Sequence, residues 1–245
     1  MKILALDSSG LVASVAIVED NLLTAEYTVN YKKTHSQTLL PMLETIKNMV
    51  DLELSTIDAI AIASGPGSFT GLRIGSATAK GLGLALSKPL IEVPTLAGLA
   101  YNLWGSDKLI CPFMDARRNQ VYTGIYAYTD TVDENGVIWC METIKEQCAV
   151  DILEILEKLN GLNREVIFLG DGVPVFREQI AMHLQVPFSF APAHCNRQRA
   201  ASVAALASIY YKEGQTVSAD AHQPDYLRKS QAERERMEQE ENEGK

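Results

Sequence analysis

One pattern occurs twice in these 245 residues: a short apolar strand runs into an aspartate and, after a turn, a β-rich stretch follows. The first copy runs from Ile3 to Asp7 and continues with Ser14 to Ile17. The second copy runs from Leu109 to Asp115 and continues, at equivalent offsets, with Tyr122 to Ile125. A strand, a turn and a returning strand form a hairpin, and further strands and helices follow each copy. The repeat therefore predicts a duplicated α/β fold of two lobes.

This arrangement resembles the actin, hexokinase and Hsp70 superfamily (ASKHA, ribonuclease H-like), in which an aspartate lies at a phosphate-facing hairpin in each lobe. We therefore expect mixed sheets flanked by helices, with a first actin-like lobe over 1–104. The second lobe is expected over 105–228. The last stretch, 229–245, is rich in Glu, Arg and Gln and is expected to be a flexible charged tail.

Composition narrows the classes of function. The formal net charge is −9, and affinity for a phosphate backbone comes largely from Lys and Arg, so the chain is poorly suited to grip nucleic acid by itself. The cysteines form no C-x-x-C and the histidines no H-x-x-x-H, so the sequence indicates no metal site. No apolar run approaches the ~20 residues that span a bilayer. We expect a cytoplasmic protein that contacts no membrane.

Local patterns predict further elements. Ile57 to Ala63 is an almost continuous apolar run, which is typical of a strand buried on both faces. A helix is predicted after Thr34, whose T-x-x-Q spacing is typical of a capping box. Pro41 lies inside the helical pattern and requires either a later start or a kink. In the second half, a helix is predicted from Ala149 to Leu159.

The stretch from Ser64 to Gly81 reads SGPGSFTGLRIGSATAKG, at the point where a strand passes into a helix. Its glycines do not match G-x-G-x-x-G, and no Lys-Ser/Thr follows them as in a P-loop, so neither phosphate-binding template fits. A helix N-terminus still presents free N–H groups, so an anion near Ser68 to Thr70 stays open as an alternative.

Small residues recur at every fourth position of this predicted helix, at Gly71, Gly75, Ala79 and Gly83. They line up along one side of the helix. Each interior glycine costs about 1 kcal/mol relative to alanine, so we expect the close approach of a neighbouring backbone to offset the cost. That neighbour is either the chain's own sheet or a second protein, and the sequence leaves both open.

Several motifs resemble the bacterial TsaB (YeaZ) family. The most specific is G-P-G-S-F-T-G-L-R-I-G, residues Gly65 to Gly75. The others are Leu6 to Ser9, Asp115 to Arg117, Val121-Tyr122 and Pro224 to Arg228. The resemblance covers nearly the whole chain. It implies the actin-like duplicated fold and a role in making N6-threonylcarbamoyladenosine at position 37 of tRNAs that read ANN codons.

The resemblance also implies partners. Members of the family pair with a paralogous catalytic subunit, TsaD, help to recruit a P-loop ATPase, TsaE, and meet tRNA only through the complex. A homodimer is the alternative when the paralog is absent. The resemblance implies that the first lobe, 1–104, carries the dimerization helices, over 36–50 and 69–86. Carried over to this chain, the partner-binding residues are Leu39, Leu43, Phe69, Gly71, Leu72, Arg73, Gly75, Ala79 and Gly83.

Parts of the related active sites are missing. The catalytic paralog holds its metal through H-x-x-x-H after a Pro-containing strand, and Thr95 and Leu99 stand at those positions here. An active kinase of the superfamily needs a glycine after the second-lobe aspartate, where this chain has Ala116. The resemblance therefore implies a subunit without activity or cofactor of its own, with ATP or ADP and Mg bound only in the assembled complex. The residues expected near such a nucleotide are Asp7, Ser8, Ser9, Asp115 and Arg117.

An enzyme is the alternative function: an actin-fold ATPase or small-molecule kinase that uses Asp7 and Asp115 around Mg²⁺. The competing interpretation of both aspartates is that they cap hairpin turns. A peptidase is not indicated, because no Ser-His-Asp or Cys-His set can be assembled by spacing.

Overall fold

The computed structural model describes residues 1–31, 34–133 and 136–228, so the predicted tail over 229–245 lies outside the described residues. Two five-stranded mixed sheets form the framework, and helices flank both. Within the described ranges, no helix is both long enough and apolar enough to cross a bilayer.

The first sheet comes from the N-terminal part of the chain. Its strands are β1 (Lys2–Asp7), β2 (Val12–Glu19), β3 (Leu22–Asn30), β4 (Ala59–Gly65) and β5 (Leu90–Pro94), and their order across the sheet is β3-β2-β1-β4-β5. The apolar strands β1 and β4 lie in the middle and are almost entirely buried, as their composition requires. The helices of this part are α1 (Leu39–Met49), α2 (Phe69–Leu86) and α3 (Thr95–Ala100).

The second sheet repeats this plan. Its strands are β6 (Leu109–Asp115), β7 (Gln120–Asp133), β8 (Gly136–Asp151), β9 (Val166–Leu169) and β10 (Phe188–Phe190), in the order β8-β7-β6-β9-β10. In both sheets the first strand pairs antiparallel with the second and parallel with the fourth. The helices are α4 (Ile152–Leu162), α5 (Val173–His183) and α6 (Ala200–Lys212). Identical strand order and pairing directions confirm the duplicated actin-like fold.

The two halves share a core. α6 follows the second sheet in the chain but packs against β1 and β2 of the first. One buried cluster accordingly contains Ile3 of β1, Ile110 of β6 and Val203 of α6. The predicted boundary between 104 and 105 lies between the two sheets along the chain. In space, the two sheets are joined by the apolar core that they share.

The start of α1 differs in part from the prediction. The helix begins at Leu39, so Pro41 lies in its first turn, where the missing N–H has no intrahelical acceptor to lose. This is the later start that the sequence allowed. The prediction of a capping box at Thr34 is wrong, because the Thr34 side chain makes no cap hydrogen bond. Only a short 3-10 turn, His35–Gln37, follows it.

The helix predicted from Ala149 is also displaced. Residues up to Asp151 continue β8, because they pair with β7 as far as Gln120. α4 then begins at Ile152, and the Asp151 carboxylate accepts a hydrogen bond from the backbone N–H of Leu153 over 2.9 Å. The strand therefore displaces the first turn of the predicted helix. The long β7–β8 hairpin, α5 and β10 were not predicted.

A C-terminal strap, residues 217–228, crosses both halves. Val217 and Leu90 exchange backbone hydrogen bonds of 2.9 Å at the edge of the first sheet. At its far end, the Arg228 guanidinium donates to the carbonyl oxygen of Ala116 in the second half. The strap therefore links the two halves on the side of α2.

Candidate functional site

The turn after β1 is built around Asp7. One carboxylate oxygen of Asp7 accepts hydrogen bonds from the backbone N–H of Ser9, at 2.9 Å, and from its hydroxyl, at 2.7 Å. Burial raises the pKa of the Asp7 carboxyl to about 6, although the two hydrogen bonds act in the opposite direction. Asp7 therefore caps its hairpin turn, which is the structural interpretation that the sequence left open.

The glycine-rich stretch brings α2 onto this turn. The backbone N–H of Ser68 donates to the carbonyl of Ser9 over 2.6 Å, and the Ser68 hydroxyl accepts from the N–H of Gly71 over 3.3 Å. A Cβ at Gly67 or Gly71 would overlap the carbonyl oxygen of Ser9 or Ser8. These glycines are needed because two backbones approach closely here.

The small-residue stripe faces the interior of its own half. A Cβ on Gly75 would lie against the Ser8 hydroxyl, and one on Gly83 would lie 3.0 Å from Ala219 and from Leu90. Ala79, between them, has no exposed surface. The neighbour that occupies the stripe is the chain itself, which is the internal alternative of the sequence analysis.

The residues assigned to the partner contact differ in burial, and the contact itself stays a prediction. Seven of the nine residues assigned to it lie buried in the chain's own core: Leu39, Leu43, Gly71, Leu72, Gly75, Ala79 and Gly83. In this fold these residues pack against the chain's own sheet and turns. The other two, Phe69 and Arg73, are accessible. The Arg73 guanidinium carbon lies 4.5 Å from the centroid of the Phe69 ring, in a cation–π contact.

Phe69 is itself held by the strap. Its ring stacks on Tyr226, with centroids 4.2 Å apart and 19° between the planes. Such a stack fixes the first turn of α2 relative to the C-terminal strap. The neighbouring strap residue Asp225 donates its backbone N–H to Ser64 over 2.7 Å and accepts a hydrogen bond from the Gln147 side chain over 2.9 Å.

The equivalent turn after β6 has unusual backbone geometry. Arg117, Arg118 and Asn119 have φ angles of 64, 56 and 58°, in the left-handed region that favours glycine. The Asp115 carboxylate holds the turn, because it accepts from the Arg117 N–H over 2.8 Å and pairs with the Arg117 guanidinium over 2.9 Å. Asp115 therefore has the same capping role as Asp7.

The two turns face each other across a cleft of about 820 Å³. Ser9, Asp115 and Arg117, three of the five residues predicted near a nucleotide, line it together. The other two, Asp7 and Ser8, are buried beneath the first turn. The first turn of α2, Arg118 and Arg228 also line the cleft, so an anion there would meet a helix N-terminus and Arg118, while Arg117 pairs with Asp115 and Arg228 donates to Ala116. Lys229, the sequence neighbour of Arg228, lies outside the described residues.

Asp171, in the turn Gly170-Asp171-Gly172 between β9 and α5, also lines the cleft. Burial raises the pKa of its carboxyl, and its buried Oδ1 has no hydrogen-bond partner in the described part of the chain. Within the described ranges, no group of three His, Cys, Asp or Glu side chains could hold a metal ion.

The positions that resemble the paralog's metal ligands serve packing here. The Thr95 hydroxyl accepts a hydrogen bond from the backbone N–H of Gly65 over 3.1 Å, at the start of α3. Leu99 lies one turn later and is 1 % exposed in the core that both sheets share. Both side chains are committed to the interior.

Comparison with known proteins extends these observations. A family model described as "TsaD: tRNA N6-adenosine threonylcarbamoyltransferase" matches residues 23–236. The chain is 34 % identical to the tRNA threonylcarbamoyladenosine biosynthesis protein TsaB of Bacillus subtilis, over 95 % of this chain and 96 % of the relative. It is 32 % identical to the protein of the same name from Escherichia coli, again over 95 % and 96 %.

Solved structures agree. The structure of YeaZ from Pseudomonas aeruginosa is 26 % identical, with a TM-score of 0.73 over 92 % of this chain and all of that one. A further Pseudomonas aeruginosa structure, described as an uncharacterized protein with similarity to peptidase YEAZ, is 25 % identical, with a TM-score of 0.75 over 93 % and 99 %. The fold, the glycine-rich motif and these matches over nearly the full length together show that the chain belongs to the TsaB (YeaZ) family, within the wider group that the threonylcarbamoyltransferase model describes.

Proposed function

We propose that this chain acts in the biosynthesis of threonylcarbamoyladenosine in tRNA, as the non-catalytic partner of a TsaD-like subunit. The modified base is N6-threonylcarbamoyladenosine at position 37 of tRNAs that read ANN codons. One observation carries the non-catalytic assignment: Thr95 and Leu99 occupy the positions of the paralog's metal ligands and both are committed to the core. Asp7 supports the non-catalytic assignment, because one of its carboxylate oxygens already accepts two hydrogen bonds from Ser9.

The contact with the catalytic partner is proposed to use the outer face of α2: Thr70, Arg73, Ala77, Gly81 and Leu84. All five are exposed, and their spacing of three or four residues places them on one side of the helix. A Cβ on Gly81 would meet no atom within 4 Å, so the middle of this face is open. Small residues there allow a partner's helix to approach the α2 backbone closely. α1 packs beside α2 and adds the exposed Leu40 and Met49.

The cleft is proposed to bind ATP or ADP with Mg only in the assembled complex. Its arginines and the N-terminus of α2 suit phosphate groups, but the Mg²⁺-binding carboxylates of an independent kinase are engaged in the two turns. Recruitment of a TsaE-like P-loop ATPase and indirect contact with tRNA complete the proposal. A net charge of −9 supports indirect contact, because phosphate backbones repel it.

The test is assembly with a purified TsaD-like protein, followed by light scattering coupled to size-exclusion chromatography. Ala77→Trp and Gly81→Trp, on the outer face of α2, should abolish the heterodimer without lowering the melting temperature of the free chain. Glu157→Trp, on an exposed face of α4 in the other half, is the matched control and should assemble normally. ATP turnover by the isolated chain would instead support the kinase or ATPase alternative and refute the proposal.

A further inference from the structure

The β7–β8 hairpin extends well beyond its sheet. Tyr126 is the β7 residue farthest along the strand that pairs with β6, opposite Ile110, and β7 continues to Asp133 with β8 as its pairing partner. At about 3.4 Å per residue, this continuation forms an arm roughly 20 Å long. We define the arm as residues 127–133 of β7 and 136–142 of β8.

One face of the arm continues the core. Directly opposed residues of an antiparallel pair lie on the same face, and Tyr128 opposes Met141 while Val132 opposes Val137. At the base this face is covered, because Tyr126 and Tyr128 belong to the core shared by the two sheets. At the far end it is uncovered, since Val132 is 76 % and Val137 is 54 % exposed. Apolar side chains therefore continue past the point where the other described residues cover them.

Two tryptophans extend this face toward the body of the protein. Trp139 is two residues from Val137 on the same face, and its ring meets that of Trp104 edge-on, with centroids 6.5 Å apart. Trp104 is itself half exposed. We name the set Val132, Val137, Trp139 and Trp104 the apolar strip: the two valines oppose each other, and the two tryptophan rings meet. Tryptophan is enriched among the residues that anchor protein interfaces.

The charges around the strip identify the kind of partner. The described residues 127–132 and 136–144 contain Asp130 and Glu142, with no Lys, Arg or His. Asp130 opposes Trp139, so a carboxylate lies on the face of the strip itself. This sign of charge repels a nucleic-acid backbone and also a second copy of a chain whose net charge is −9. It attracts a surface rich in Lys and Arg.

We propose that the arm docks, through the apolar strip, into an apolar groove on a partner protein whose rim is basic. Burial of the valines and tryptophans supplies affinity, and Asp130 pairs with a cation on the rim. This surface is distinct from the outer face of α2, which belongs to the first half of the chain. The inference rests on the proposed function for the choice of test proteins alone.

The test uses the full-length chain with the purified TsaD-like and TsaE-like proteins and follows assembly by biolayer interferometry at increasing salt. The double variant Val132→Ser/Val137→Ser should weaken assembly at least tenfold, and Asp130→Lys should do the same and reduce the salt dependence. The matched control, Thr131→Ser/Ile138→Ser, alters the opposite face of the same arm and should stay within twofold of wild type.

A photo-crosslinking residue at position 137 identifies the contact. We expect a crosslink to a Lys- or Arg-rich segment of a partner protein. Crosslinks to tRNA or to a second copy of this chain would overturn the inference while leaving the proposed function in place. So would strip variants that assemble as tightly as the wild-type chain. A wild-type chain that assembles with neither protein would refute the proposed function, and the docking inference with it.

Discussion

The Ser8 hydroxyl donates a hydrogen bond to the carbonyl oxygen of Gly71 over 2.9 Å, so the turn after β1 is joined directly to the first turn of α2. The same turn supplies Ser9 to the cleft between the two halves. The position of α2, with its proposed partner-binding outer face, therefore depends on the turn that lines the cleft. A ligand in the cleft and a partner on α2 would act on the same few residues.

Two identical substitutions on α2 should have opposite effects on stability. Gly71→Ala places a Cβ against the backbone carbonyl of Ser8, which cannot rotate away, so it should lower the free energy of unfolding by about 1–3 kcal/mol. Gly81→Ala adds a methyl group in open space and should raise it by up to about 1 kcal/mol, because alanine is the better helix former. Urea unfolding measures both. Equal effects at the two positions would show that the buried stripe does not face the β1 turn.

Asp7 should make stability depend on pH. Its pKa in the folded chain is raised to about 6, above the ordinary value of 3.8, so the charged form is destabilising above pH 6. As pH falls from about 6 to 4 the folded protein takes up this proton and the penalty is relieved. Asp7→Asn keeps an acceptor for Ser9 and removes the charge, so it should exceed wild type in stability at pH 8 by on the order of 3 kcal/mol. The difference between the two unfolding curves should shrink toward pH 4, and a constant difference would contradict the assignment.

The stack of Tyr226 on Phe69 should hold the C-terminal strap on the first half. Tyr226→Ala removes it and should cost about 0.5–1.5 kcal/mol beyond lost burial, a shift of a few degrees in melting temperature. Hydrogen exchange at the backbone N–H groups of Leu90 and Val217 should accelerate, because the strap opens more often. Tyr226→Phe keeps the ring and should behave as wild type. Unchanged exchange in the alanine variant would mean that the strap is held elsewhere.

The left-handed turn after β6 should discriminate among substitutions at Arg118. Its φ of 56° costs an L-residue about 1–2 kcal/mol, so Arg118→Gly should be neutral or stabilising by up to about 1 kcal/mol. Arg118→Val adds a β-branched side chain, which avoids this region, and should destabilise. Thermal melts of the two variants test the geometry. If valine proved as stable as glycine, the turn would have to adopt a right-handed conformation in solution.

Much of the fold could be predicted because its signals are local. Apolar strands that end at Asp7 and Asp115, and the glycine-rich passage into α2, are short-range patterns that predict strands, turns and a helix directly. The β7–β8 hairpin was not predicted because the residues of its uncovered arm do not follow a simple alternation of apolar and polar types. Exposed valines and acidic side chains occur together there. The start of α4 was misplaced because pairing with β7 outweighs helical periodicity from Ala149 to Asp151.

By itself, the sequence determined that the chain has two halves of repeated plan, that α2 follows a glycine-rich turn, and that one side of α2 carries small residues. It left open whether the chain's own sheet or a partner fills that side. Only the tertiary structure decided this, because a helix face made of small residues can pack against any backbone that approaches closely. In the folded chain that backbone is the turn after β1. The strap, the shared core and the uncovered arm were likewise decided by contacts between residues far apart in the chain, whose geometry no local pattern records.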